Sequence, residues 1–111
     1  MTRPVAAPVY HLALAADWEH AQDQGEYAVS TLGRTLAEEG FIHASRADQW
    51  PGVRELFYAD VAEPLLLLVI DPARLEAEVR EERVPGTDAT FPHVYGPINL
   101  DAVVETIELG Q

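Results

Sequence analysis

Apolar residues recur along this chain in short alternating stretches and one solid run, with a helical period in only two places. Residues 9–14, Val-Tyr-His-Leu-Ala-Leu, predict a first strand with Val9, His11 and Ala13 on one side. Asp17 is read as the N-cap of a helix of about two turns that Gly25 closes, with Trp18 and Ala21 inward and Glu19 and Asp23 outward. Residues 27–32 are β-prone, and 32–39 read as a helical turn stopped by Gly40. A strand over 41–45 then puts Phe41, His43 and Ser45 on one face, Ile42 and Ala44 on the other.

Ser45 or Asp48 is expected to cap a helix through 49–59, with Pro51 in the first turn and Trp50, Val53, Leu56 and Phe57 as an apolar stripe facing the core. Residues 65–70, Leu-Leu-Leu-Leu-Val-Ile, are too uniformly apolar for a half-exposed strand and predict a central one buried on both faces. A brief helical turn at 73–77, a charged edge strand at 78–84 and a turn at 85–88 follow. Pro97 limits a strand that begins at Phe91, and 101–109 alternate as the last strand. About six strands and two or three short helices, without regular βαβ alternation, predict an α+β fold.

The 111 residues, 48% of them hydrophobic, suit one domain over 9–111 behind a flexible segment at 1–8. No apolar run approaches the roughly 18 residues of a membrane span, and the N-terminus lacks a signal-peptide core, so a soluble cytoplasmic protein is expected. The absence of cysteine removes disulfides and thiolate chemistry. Nineteen acidic residues against seven arginines and no lysine give a net charge of −12. That balance opposes nucleic acid as a partner and excludes a lysine Schiff base. A monomer or weak homodimer is expected, since the charged edge strand permits pairing without requiring it.

Three of the four histidines sit among β-formers: His11, His43 and His93. His20, with acidic neighbours and no partner at ligand spacing, is read as a solvated helix residue. The three strand segments are expected to line one pocket. Three imidazoles and a carboxylate make a chemically reasonable zinc or iron site, but no two histidines share ligand spacing on one element, so no metal is expected. A non-catalytic module for a small molecule or protein is the other alternative.

The segments Tyr10-His11-Leu12-Ala13, Glu39-Gly40-Phe41-Ile42-His43-Ala44-Ser45, Leu66 to Asp71 and Phe91-Pro92-His93-Val94-Tyr95-Gly96-Pro97 closely resemble, in combination, the bacterial family catalogued as domain of unknown function 952. The resemblance runs from about residue 9 to about residue 105. It implies an ADP-ribosyltransferase-like fold, a split antiparallel or mixed β-sheet that binds NAD in its cleft. The RNA 2′-phosphotransferases of that superfamily show a similar layout, by which His11 would meet the ribose of the adenosine half, and His43 and Ser45 match a second histidine segment. The arginines those enzymes use on an RNA phosphate have no clear counterpart. Glu82 aligns best with an acidic position before the Phe-Pro-His segment, with Glu81 its neighbour.

NAD or a related nucleotide is therefore the expected cofactor, with transfer of ADP-ribose the implied activity. A strand-fixed imidazole can hold a ribose hydroxyl, and a carboxylate such as Glu82 can stabilise the charge that builds as nicotinamide leaves. Tyr27, Tyr58 or Tyr95 could stack on the nicotinamide ring, with His93 in support.

Overall fold

A computed structural model describes residues 7–84 and 88–109. Residues 85–87 of the expected turn at 85–88, and residues 1–6 of the N-terminal segment 1–8, lie outside the described residues.

The first strand, β1 (Val9–Leu14), runs directly into helix α1 (Ala15–Gln24). Short strands β2 (Glu26–Tyr27), β3 (Val29–Thr31) and β4 (Arg34–Thr35) follow, then a single helical turn, α2 (Leu36–Glu39), and β5 (Ile42–His43). Helix α3 (Trp50–Phe57) leads to β6 (Leu65–Ile70), β7 (Glu78–Arg83), β8 (Thr90–Tyr95), β9 (Ile98–Asn99) and β10 (Val103–Leu109). Every pairing is antiparallel. The architecture is α+β, with one sheet in the order β1-β6-β10, a second in the order β5-β8-β7, and two-stranded ribbons β2-β9 and β3-β4.

β6 is central and buried, as its solid apolar run requires. Leu68 and Ile70 join Val9, Ala13, Tyr27, Ile42 and Val94 in the main core, whereas Leu65 and Leu67 join Leu12 and Tyr58 in a second cluster. The two sheets meet at one isolated bridge: the Tyr10 amide donates to the Ser45 carbonyl at 2.7 Å, and the Ser45 amide returns a bond at 2.8 Å.

Local expectations needed correction in four places. α1 begins at Ala15 rather than after Asp17, because the Ala15 amide donates to the Pro64 carbonyl at 2.9 Å, a tertiary substitute for a capping side chain. Asp17 lies in the first turn, where its charge suits the helix dipole. The helical reading of 32–39 holds only for its second half: β3 and β4 form a hairpin around Gly33 (φ +71°), and Thr35 and Glu38 build a capping box for α2. Neither Ser45 nor Asp48 caps α3. Gln49 occupies that position, with its amide spent on the Arg46 N–H (2.9 Å) and the Thr90 carbonyl (2.8 Å).

The fourth correction concerns the α3 stripe. Trp50 and Val53 pack on the second cluster, but Leu56 is 74% exposed and Phe57 65%. A two-turn helix lying on one edge of a small cluster cannot bury four large positions.

Gly96, just past β8, sits where an added Cβ would lie 2.8 Å from the Ala77 Cβ. That is well inside carbon van der Waals contact, so Gly96→Ala is expected to cost about 1–3 kcal/mol. A lowered urea midpoint reads it. An unchanged midpoint would contradict this close approach.

Candidate functional site

The second sheet divides its residues by parity. Ile42, Val94 and Val79 face the core, while Phe91, His93 and Tyr95 of β8 share the opposite face with Arg80 and Glu82 of β7 and His43 of β5. His43 and His93 are register partners with ring centroids 5.5 Å apart, edge to face. Phe41 stacks on His93 at 4.2 Å and 23°, and lies 4.8 Å from His43. Across the seam, β1 supplies Tyr10, His11 and Leu12. These strands, with Ser45, Phe91 and the α3 residues Val53 and Phe57, enclose a mainly apolar hollow of about 400 Å³. A second hollow of about 410 Å³, lined in part by Trp50, Arg54 and Tyr58, contains no histidine.

The three strand histidines therefore reach one hollow, in three different conditions. His11 is buried on the core side of β1, and both ring nitrogens are engaged. Its Nδ1–H donates to the His43 carbonyl, so Nε2 carries the lone pair and accepts from the Tyr27 hydroxyl at 3.0 Å. Burial lowers its pKa to about 4, keeping the ring neutral. The ribose contact assigned to His11 by resemblance has no free nitrogen to make it. Tyr27 is likewise corrected: 1% exposed, it is a core residue whose ring lies 5.2 Å from His11, with no face free to stack on a ligand. Desolvation raises its pKa.

His43 is exposed, and its Nε2 lies 3.4 Å from Glu39, which also pairs with Arg34 at 2.6 Å. Ser45 is buried at the seam and lines the hollow. His93 is 6% exposed and backed by a polar relay: its Nδ1–H donates to Glu82 Oε1 at 2.8 Å, the Tyr95 hydroxyl donates to the same oxygen, and the Arg80 guanidinium lies 4.4 Å over the Tyr95 ring. The Tyr95 hydroxyl, then His93, hold the Glu82 carboxyl below the usual range. The same bond raises the Tyr95 pKa. Glu82 is thus not a wall of the hollow; it stands behind His93, and Tyr95 stands beside it. Glu81 turns away to Arg46.

Among the described residues, no group of three or more His, Asp or Glu side chains is arranged to hold a metal ion. His11, with both nitrogens engaged, cannot complete the tri-histidine set considered from sequence. No helix among the described residues is long and apolar enough to cross a membrane. The sequence reading did not single out the aromatic walls Phe41 and Phe91. The parity that put His93 on one face of its strand carries Phe91 with it, and Phe41 was already placed beside His43.

Comparison with known proteins adds three findings. The family model described as "Protein of unknown function (DUF952)" matches residues 12–106. Protein CC0527 from Caulobacter crescentus is similar in structure: one crystal structure superposes with a TM-score of 0.80 at 27% identity, covering 94% of this chain and 87% of that one. Its solution structure gives 0.74, also at 27% identity, covering 92% and 84%. A curated relative, erythronate-4-phosphate dehydrogenase from Tolumonas auensis, is 33% identical over 89 residues, 78% of this chain, and the chain spans only 23% of that relative's length.

Proposed function

This chain belongs to the protein family of unknown function DUF952, and from that premise we propose that it binds NAD or a related nucleotide, nicotinamide end first, in the hollow between β1, β5 and β8. The reading is carried by one observation: His43 and His93 meet, beside the buried His11, at a mainly apolar hollow of about 400 Å³ whose walls include Phe41, Phe57 and Phe91. Small-molecule sites span roughly 300–1,000 Å³, so the space suits one half of a dinucleotide. Phe41 and Phe91 in its wall suit a flat ring. His43, with its exposed ring, and Ser45 offer hydrogen bonds to sugar hydroxyls.

Bound NAD would supply a glycosidic carbon from which nicotinamide can leave. Transfer of ADP-ribose would also ask for a carboxylate at that carbon. The residues lining the hollow include none, and Glu82 is committed to His93 and Tyr95. The lining of the hollow thus supports binding and offers no carboxylate for transfer.

Isothermal calorimetry of the purified chain tests it. Heat is expected with NAD and nicotinamide and not with ADP-ribose, and His43→Ala should weaken NAD several-fold while leaving nicotinamide little changed. Erythronate 4-phosphate, taken from the name of the curated relative, meets no arginine or lysine in the hollow and should stay silent. Absence of heat with NAD and nicotinamide overturns the proposal.

A further inference from the structure

Buried polar atoms in proteins are nearly always partnered, because a stripped donor or acceptor loses its bond to water without replacement. Among the described residues, the buried side-chain atom without a partner is Nε2 of His93. It belongs to a residue that lines the hollow.

The hydrogen-bonding sense of that atom is fixed from the other side of the ring. An ionised carboxylate only accepts, so the bond to Glu82 puts the proton of neutral His93 on Nδ1 and leaves the lone pair on Nε2. Tyr95 holds the receiving oxygen in place, and Phe41, stacked on the imidazole, fixes the ring plane. His93 lines the hollow among apolar walls that include Leu12, Val53 and Phe91, so an occupant that reaches its buried Nε2 meets an oriented acceptor.

We propose that the hollow selects ligands with an aromatic or apolar body carrying one N–H or O–H donor, with His93 Nε2 as the acceptor and Glu82 as the residue that positions it. This rests on the hollow being the binding site, as proposed above, but does not require the occupant to be a nucleotide. The carboxamide of nicotinamide satisfies it, and so does a phenol. A body of the same shape without a donor would leave Nε2 stripped and should be rejected.

Two matched pairs of probes test this by calorimetry: nicotinamide against methyl nicotinate, and phenol against anisole, each pair alike in ring and differing in the donor. The donor-bearing member should bind about tenfold more tightly or better. His93→Leu should erase that difference. In nitrogen-15 spectra of histidine-labelled wild-type protein, the His93 Nε2 resonance should be that of an unprotonated nitrogen and should shift with phenol but not with anisole. Should His93→Leu fail to fold, the wild-type pairs and spectra decide alone. Equal affinities within both pairs, or a proton on Nε2, overturn the inference. Discrimination of phenol from anisole with nicotinamide and NAD silent would sink the nucleotide reading and leave this one standing. No binding by any of the four probes sinks both.

Discussion

Tyr27→Ala is expected to remove about 3–5 kcal/mol, the usual cost of deleting a large buried ring. The ring is almost wholly enclosed in the main core, 5.2 Å from His11 and 6.4 Å from Trp18. Its hydroxyl supplies the bond that His11 Nε2 accepts. Domains of this size are stable by about 5–15 kcal/mol, so the loss is a large share of the total. Tyr27→Phe separates the two contributions, keeping the ring while stripping the imidazole acceptor, and should cost about 1–3 kcal/mol. Urea unfolding at neutral pH reads both. A loss below about 1 kcal/mol for Tyr27→Ala would contradict the packing.

Acid should weaken the fold through His11 before the carboxylates contribute. The native pKa lies near 4 against 6.5 for the free side chain, because burial disfavours the charged ring. Between those values the unfolded chain binds the proton and the native chain does not, so stability falls as pH falls. The contribution is fully present above about 6.5, is lost progressively below it, and is gone below about 4, amounting to roughly 3 kcal/mol. The carboxyls of Glu38, Glu78 and Glu82 are held low by their partners and are lost only at more acid pH. The difference in slope between the wild type and a His11 variant from pH 6.5 to 5 therefore reports on His11, with about 1.5 kcal/mol expected there. Denaturant midpoints at stepped pH should slope in that interval for the wild type and flatten in His11→Leu. Equal slopes would show that His11 titrates normally.

The segments that could be read from sequence are those whose structure is decided locally or by burial alone. The solid run of β6 could only be central, Gly25 and Gly40 end helices in left-handed conformation at φ +86° and +88°, and parity placed Phe41, His43 and Ser45 at one hollow. What escaped the sequence depends on partners far along the chain. The start of α1 is set by the carbonyl of Pro64, and the loss of Leu56 and Phe57 from the core by how little surface α3 covers. The same holds inside the site. Nothing in the segment around His11 shows that Tyr27 will take its second nitrogen, or that Glu82 will stand behind an imidazole instead of facing a ligand. Residue type and parity bring a side chain to the right place; its spare valence is settled by whichever group folds against it.

The bridge between Tyr10 and Ser45 gives that place a mechanical meaning. Two amide-to-carbonyl hydrogen bonds stitch one half of the molecule to the other there, and the hollow straddles the same line, with Tyr10 and Leu12 on one bank and His43, Phe91 and His93 on the other. An occupant that touches both banks acts as a rivet, so each increment of its affinity is also an increment of resistance to unfolding.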